Sequence, residues 1–348
     1  MTAFDWINPS NRDKIIGISG QIGRKDGRLG PLGEDPAYNT LPSSAITNVV
    51  KRFMNSPTRL ESQKSGQISS EEHYYTGDLT ITYKGKDEQC TLSIDQFREY
   101  FSKRVQNGAK IFNFLLQKLN EQNYEENTAF QLSDLVDAGI YANKDSAYKG
   151  LKNVLDKLMH VHIEGKIKFY EGRKRKEAFN TKTVLVASRT ISYTQCIVTL
   201  PPIIRNFSRY IAILPQWAYS LQSENAYMLI DYIYYLARQN TEKIAKQGCF
   251  NIGLDTVRAH LGLPAPDNIR NSRYSQQIIE PIERAVTDIE DRQEGSEIKI
   301  TPVYKADYKN IHEYLDGYLE IRLSGQAFTY MKQLAVKKEK KAKQPEAK

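Results

Sequence analysis

Three short segments of the sequence combine positive charge with side chains that can donate hydrogen bonds to a nucleic acid. They are the start of a predicted helix, a basic tip between two predicted strands, and a loop with the helix start that follows it. Cations neutralise phosphates, and Arg, Asn and Gln can bond to base edges in the major groove. The residues are Lys144, Tyr148, Lys149 and Lys152; Arg173, Lys174, Arg175 and Lys176; and Arg270, Asn271, Arg273, Tyr274, Gln276 and Gln277.

The basic tip has the highest density of charge. Between Lys166 and Arg189 eight basic residues stand against Glu171 and Glu177, and four of them are consecutive. Because four adjacent cations repel one another, a polyanion is their preferred partner, and we predict contact with phosphates or a minor groove. The alternative is a solvated charged loop.

In the third segment the charge changes sign along the helix. Its later part carries acidic residues that phosphate would repel, so we expect DNA contact from its N-terminal end alone. These acidic residues are Glu280, Glu283, Asp288, Glu290 and Asp291.

Catalytic or metal-binding patterns are weak. His160 and His162 flank Val161 at a predicted strand start, a spacing that a divalent metal in a DNA-nicking enzyme could use, but the sequence offers no third ligand and no following helix with a Tyr. The three cysteines are far apart, which excludes a zinc knuckle and a disulfide framework. We therefore expect no enzyme activity, no metal and no other cofactor, and keep the nicking enzyme as an alternative.

The elements that position these residues follow one order twice. In the first copy, Phe97 to Leu119 predicts a long helix broken at Asn107-Gly108. A short strand follows, then a helix capped by Ser133, a turn at Gly139, and a helix from Lys144 to Leu158 capped by Asn143. Strands from Val161 to Tyr170 and from Thr183 to Ser192 then flank the basic tip, as a wing would.

The second copy repeats that order with little sequence identity. Its predicted elements are a helix from Ser223 to Asn240, a strand from Cys249 to Ile252, a helix from Leu254 to Leu261, a helix from Ser275 to Asp291, and paired strands from Glu297 to Tyr304 and from Tyr318 to Leu323. Helix, strand, helix, turn, helix and two strands is the order of a winged helix-turn-helix.

The predicted fold is therefore α+β, with two winged helix-turn-helix domains in tandem, a flexible Gly-rich N-terminal arm and a basic C-terminal tail. We assign 1–42 to the arm, 43–192 to the first domain with an added helix and hairpin, 193–215 to a strand and joint, 216–334 to the second domain, and 335–348 to a disordered basic tail.

The composition agrees with a DNA-binding protein. The 348 residues carry a net charge of +8 and 40% hydrophobic residues, without an apolar run long enough to span a membrane. The N-terminal residues lack a signal-peptide core. We expect a cytoplasmic, nucleoid-associated protein without a membrane partner.

From Ser93 to Leu323 the chain resembles the tandem winged-helix replication initiators of plasmids and other mobile elements. The resemblance rests on four segments: Ala109 to Leu116 (AKIFNFLL), Tyr148 to Leu151 (YKGL), Ser223 to Leu236, and Leu254 to Leu263 (LDTVRAHLGL).

The resemblance implies sequence-specific binding of double-stranded DNA at direct repeats of an origin, each domain entering a successive major groove. It also implies recruitment of host helicase or initiator proteins, and a homodimer as a regulated state. A transcriptional regulator or repressor with the same DNA contacts stays open.

Overall fold

A computed structural model describes residues 38–62, 66–73, 77–85, 88–101, 103–122, 127–171, 174–201, 210–292 and 297–343. For 41–42, 88, 165–171, 174–182, 210–211 and 337–343 it describes the backbone alone. Most of the predicted N-terminal arm, residues 1–37, lies outside the described residues. The fold is mixed α/β, with helices packed around several small antiparallel sheets.

The first half of the chain contains both a large sheet and a small one. Its elements in order are β1 (Tyr38–Ser43), α1 (Ala45–Asn55), β2 (Gly66–His73), β3 (Asp78–Gly85), β4 (Glu88–Ile94), α2 (Phe97–Tyr100), α3 (Gly108–Glu121), β5 (Asn127–Gln131), α4 (Leu132–Asp137), α5 (Lys144–Leu158), β6 (Val161–Glu171), β7 (Lys174–Val184), β8 (Ser188–Ile191) and β9 (Gln195–Thr199). The large sheet has the strand order β2-β3-β4-β6-β7, and the small sheet has the order β5-β9-β8.

The second half has one three-stranded sheet. Its elements are β10 (Tyr210–Pro215), a 3₁₀ turn (Gln216–Ser220), α6 (Glu224–Gln239), α7 (Thr241–Gln247), β11 (Cys249–Gly253), α8 (Leu254–His260), α9 (Glu280–Arg292), β12 (Ile298–Val303), α10 (Ile311–Leu315), β13 (Tyr318–Leu323) and α11 (Gly325–Lys343). The strand order of its sheet is β11-β13-β12, and β1 pairs with β10 outside it.

The two halves contain the same topology. We call α3, β5, α4, α5, β8 and β9 the first repeat, and α6, β11, α8, α9, β12 and β13 the second repeat. In each repeat the last strand lies between the first and the middle one, as the antiparallel pairs Phe130 with Cys196 and Phe250 with Ile321 illustrate.

The local sequence explains where α5 begins and which of its sides is buried. Asn143 is extended (φ −157°) and its side chain accepts a hydrogen bond from the Ser146 amide at 2.9 Å, which caps the helix. One side of the helix is buried, as its apolar spacing predicts. The buried residues are Ala147, Leu151, Val154, Leu155 and Leu158.

Each repeat has a glycine with positive φ at the corner where the connection between its second and third helices begins. Gly139 follows α4 with φ 78°, and Gly262 follows α8 with φ 66°. A side chain at either position would meet a serine, Ser220 beside Gly139 and Ser56 beside Gly262. Both corners therefore combine a backbone conformation and a close approach that glycine tolerates best.

The structure corrects the predicted wing of the first repeat. The strands β6 and β7 pair with each other but belong to the large sheet, because β6 also pairs with β4. The strand pair of the small sheet is β8 with β9, joined through 192–194. The predicted boundary between 192 and 193 thus falls within that turn.

Three other expectations differ from the structure. Residues 38–42, assigned to the flexible arm, lie in β1 because β10 offers a pairing edge. Ser133 lies inside α4, which begins one residue earlier after Gln131, whose side chain and Asp134 form a capping box. The tail from Ala335 is helical to Lys343, as a continuation of α11, whose Ala327, Met331 and Ala335 are buried.

Buried side chains of both repeats belong to one continuous hydrophobic core, in which α1 contributes Ile46, Val50 and Phe53. Within the described ranges, no helix combines the length and the apolar character that crossing a membrane would require.

Candidate nucleic-acid interface

The first three turns of α5 present predicted contact residues to solvent. Lys144, Lys149 and Lys152 are exposed, and Tyr148 is partly buried. Within the described part of the chain Lys144 and Lys149 form no ion pair, whereas Lys152 contacts Asp156 at 2.9 Å. The two unpaired cations are therefore the ones more readily available to an anion.

An aromatic pair joins α5 to the turn between β8 and β9. The rings of Tyr148 and Tyr193 are parallel, with an interplanar angle of 5° and centroids 4.7 Å apart. Tyr193 is 58% exposed although it is stacked. The pair thus forms a surface that is both apolar and able to donate hydrogen bonds from its hydroxyl groups.

The turn that carries Tyr193 is ordered by its own hydrogen bonds. The Ser192 hydroxyl accepts from the amides of Thr194 at 3.3 Å and Gln195 at 3.1 Å. The Ser192 amide donates to the carbonyl of Gln195 at 2.8 Å, and the carbonyl of Thr194 accepts from Leu132 at 3.0 Å. Tyr193 is therefore presented by a fixed turn beside the helix.

An ion pair ties the later part of α5 to the same hairpin. The Nε of Arg189, on β8, donates to Asp156 at 2.6 Å. Burial raises the pKa of Asp156, but hydrogen bonds from Lys152 and Arg189 and the charges of both bring that pKa below its usual value. The charge of Asp156 also offsets that of Lys152.

Gly150 allows a close contact behind the exposed face of α5. A side chain at this position would overlap the ring of Tyr141. Burial raises the pKa of Tyr141 to about 12, so this ring stays neutral and packed beside the helix. The Tyr-Lys-Gly-Leu segment therefore sets α5 against the corner that precedes it.

In the second repeat the predicted contact residues lie before α9 in two tight turns. Asn271–Arg273 forms a 3₁₀ turn and Ser275–Ile279 a π-helical turn. Arg270, Asn271, Arg273 and Gln276 are exposed, while Tyr274 and Gln277 are partly buried. No described residue forms an ion pair with Arg270 or Arg273. π turns often occur at functional sites, and DNA contact by these residues stays a prediction.

Some acidic residues of α9 are engaged by neighbouring groups. Glu280 pairs with Arg284 at 3.1 Å, and Glu283 accepts from the Tyr304 hydroxyl at 3.4 Å. Burial and the adjacent Glu283 raise the pKa of Tyr304, which favours its neutral, donating form. The negative charge of the helix begins at Glu280, after the cationic turns.

The predicted basic tip is not beside α5 in the small sheet. Arg173 lies outside the described residues, and Lys174, Arg175 and Lys176 begin β7, where the backbone alone is described. Lys174, Arg175 and Lys176 thus belong to the large sheet, because β7 pairs with β6 and β6 pairs with β4.

The two histidines of the alternative nicking site have separate partners. The Nε2 of His162 lies 2.8 Å from a carboxylate oxygen of Asp95. The ring of His160 stacks on Tyr100 with centroids 4.0 Å apart. Among the residues that the structure describes, no three His, Cys, Asp or Glu side chains are grouped as a metal site.

The sequence-based prediction missed Tyr193 and Arg189 as residues beside α5. It placed residues 183–192 in one strand next to the basic tip and therefore did not predict the β8–β9 hairpin. A signal was available in the alternation of β9, where Cys196 and Val198 are buried on either side of the exposed Ile197. Ser192-Tyr193-Thr194 before that strand is a plausible turn sequence, since serine hydroxyls cap turn amides.

No protein-family model matches the chain, and a comparison with curated proteins found no match. Among solved structures, the chain is similar to selenomethionine derivatives of domains 2 and 3 of RctB, with 9% identity and a TM-score of 0.43 over 80% of this chain and 99% of that one. A second structure of RctB domains 2–3 has 9% identity and a TM-score of 0.39, over 81% and 99%.

Proposed function

We propose that the chain binds double-stranded DNA and that both repeats are winged helix-turn-helix domains. The observation that carries the proposal is the repeated topology: helix, strand, helix, glycine corner, helix and two strands, with the last strand in the middle of each sheet. In such domains the helix after the corner enters the major groove. In this chain those helices are α5 and α9.

For the first repeat, we assign the DNA face to Lys144, Tyr148, Lys149 and Tyr193. The lysines neutralise phosphates, and the stacked tyrosines add hydroxyl donors and apolar surface next to them. Lys152 contributes less, since Asp156 already balances its charge. The wing of this repeat is the β8–β9 turn.

For the second repeat, the DNA face consists of the cationic turns before α9. Arg270 or Arg273 can bond a guanine with two hydrogen bonds, and Gln276 or Gln277 can do the same with adenine. Asn271 and Tyr274 supply further donors. Contact stops at Glu280, where the helix becomes negative.

We further propose that Arg173, Lys174, Arg175 and Lys176 contact phosphates as an element separate from the wing. The argument rests on their charge, because four adjacent cations gain most from a polyanion. The function needs no catalytic centre and no cofactor.

The biological role that we propose is initiation of replication at origin repeats of a plasmid or mobile element, with recruitment of host replication proteins. A regulator would use the same DNA contacts. The two roles can be distinguished with a plasmid whose copying depends on the gene and its neighbouring DNA. If the protein is an initiator, its loss abolishes copying of this plasmid. If it is a regulator, its loss alters transcription alone.

The DNA-binding proposal is tested by measuring the affinity of the full chain for labelled duplex DNA at several salt concentrations. In Lys144→Ala/Lys149→Ala the slope of log affinity against log salt should fall by nearly one unit per lost phosphate contact, hence by about two. The matched control is Lys243→Ala/Lys246→Ala, which removes the same charge from exposed residues of α7.

Each outcome of this experiment has a clear meaning. Absence of binding by the unaltered chain would refute DNA binding. Equal slopes for both double variants would refute the assignment of the first DNA face, because the loss would then report net charge rather than location.

A further inference from the structure

The junction between the repeats contains a buried ion pair that the proposed DNA contacts do not use. Lys51 on α1 donates to Asp231 on α6 at 2.5 Å, and these side chains are 1% and 5% exposed. Asn113 on α3 donates to the same carboxylate at 2.8 Å and lies 2.8 Å from the hydroxyl of Tyr227. One carboxylate thus links α1, the first repeat and the second repeat.

The end of α1 is also bonded to the corner of the second repeat. Asn55 donates to the carbonyl of Leu261 at 2.9 Å, and Ser56 donates to that of Gly262 at 3.2 Å. Arg52 donates to the carbonyl of Ala259 at 3.2 Å. The corner before the proposed contact turns is therefore held by a helix from outside its own repeat.

The corner of the first repeat is contacted by residues from the second half of the chain. Gly139 lies against Ser220, at the end of the 3₁₀ turn before α6, and Arg292 at the end of α9 donates to the Ser220 hydroxyl at 3.1 Å. Nearby, the Asn107 amide donates to Glu224 at 2.5 Å. Each corner thus has a contact that depends on the other half of the chain.

Such a junction has one favoured register. Buried ions and amides gain their energy in a single geometry, and sliding or rotation would leave them without partners in a medium of low polarity. A purely apolar junction of equal area would tolerate neighbouring registers more easily, because apolar attraction has little direction.

We propose that Lys51, Asn113 and Asp231 are positioning residues that fix the separation of the two DNA faces, so that the chain recognises one composite DNA site with two half-sites at a single spacing. This inference rests on the proposed function. Its physical part, a fixed arrangement of the two repeats, holds whether or not DNA is bound.

The physical part is tested without DNA by pulsed electron spin resonance on the full chain. Spin labels are attached at Asp137→Cys and Glu242→Cys, both exposed, in a Cys249→Ser background, since Cys90 and Cys196 are buried. We expect one narrow distance distribution. The variant Lys51→Met/Asp231→Leu, which retains apolar packing, should give a broader one. A broad distribution in the unaltered junction, or identical distributions, would overturn the inference.

The spacing is tested by selecting bound sequences from a random duplex library. The unaltered chain should enrich two short blocks at one separation, and inserting two base pairs between them should lower affinity at least about tenfold, because the base contacts of one half-site are lost. The double variant should accept several separations and tolerate the insertion, with its salt dependence unchanged.

The outcomes separate the two proposals. Blocks at many separations with the unaltered chain would reject fixed spacing but retain DNA binding. If no sequence is enriched and no duplex is bound, DNA binding and the composite site both fail, while the label distances still decide whether the repeats are fixed.

Discussion

Two lysines on the same helix can differ in how readily they bind an anion. Lys149 and Lys152 are three positions apart on α5 and both are exposed, yet Asp156 holds Lys152 at 2.9 Å. An exposed pair of this kind contributes at most about 1 kcal/mol, so the pair is weak, but it still lowers the local charge. Residue type and spacing predicted both lysines, and the difference between them came from a neighbour on the same helix.

His260 gives a prediction at the residue scale. It is 1% exposed and stacks on Tyr232 with centroids 3.8 Å apart. Burial, and then the charges of Arg52 and Lys51, lower its pKa well below the usual 6.5. The folded chain therefore keeps this ring neutral where the unfolded chain binds a proton, so the free energy of unfolding should fall as the pH drops below about 6.5 and stay level with respect to this group above it.

The measurement is urea unfolding between pH 8 and pH 5, compared with His260→Phe, which keeps a ring against Tyr232 and cannot titrate. The variant should lose less stability than the original chain over that interval. Parallel curves for the two proteins would show that His260 does not cause the loss.

At the scale of elements, the sequence predicted what is local and failed where the partner is distant. The helix α5 agrees with its prediction in its cap at Asn143, its bounds and its buried face, because capping and 3.6-residue periodicity are local properties. The strand β6 was also predicted, but its pairing with β4 was not. The paired residues of these two strands are 67 to 79 positions apart in the sequence, from Ile94 with Val161 to Glu88 with Ile167. Alternation in a strand says nothing about which strand pairs with it.

The same reasoning applies to the candidate site. The exposed lysines of α5, Lys144, Lys149 and Lys152, follow from its periodicity, and the structure agrees with their exposure. The stack of Tyr193 on Tyr148 depends on how a turn approaches a helix, which the sequence does not encode locally.

The corner glycines give a prediction at the element scale. In Gly262→Ala the alanine must adopt the left-handed backbone conformation of this position, and its methyl group overlaps Ser56. In the control Gly248→Ala the conformation is similar, with φ 70°, but no atom lies within 4 Å of the added carbon. The control should cost about 1–2 kcal/mol of conformational strain, and Gly262→Ala should cost distinctly more.

Denaturant midpoints of the two variants measure the difference. Adding Ser56→Gly to Gly262→Ala should recover part of the loss, corrected for the effect of Ser56→Gly alone. Equal losses at the two glycines would mean that the contact with Ser56 relaxes freely.

For the molecule as a whole, α1 determines how tightly the halves are connected. Lys51→Met alone leaves Asp231 buried without its partner charge and should destabilise the fold by about 3–5 kcal/mol. Lys51→Met/Asp231→Leu should cost much less than the sum of its single changes, since no charge is then left buried, although Asn113 loses an acceptor.

A surface pair provides the comparison. Lys118 contacts Glu121 at 3.1 Å and Asp134 at 3.4 Å, and all three side chains are partly exposed to solvent, so Lys118→Met should cost about 1 kcal/mol or less for each pair. Chemical unfolding checks all of these variants, and a cost for Lys51→Met no greater than that for Lys118→Met would contradict the buried charge argument.

The place of α1 also has a consequence during synthesis. Lys51 leaves the ribosome 180 residues before Asp231, and at about 5–20 residues per second this interval lasts roughly 10–40 s. Throughout that time the ammonium group of Lys51 awaits a carboxylate that is not yet translated. Slow codons or a pause within this interval would therefore lengthen exposure of α1 to chaperones and proteases, whereas a pause after Gly262 would follow emergence of its polar partners.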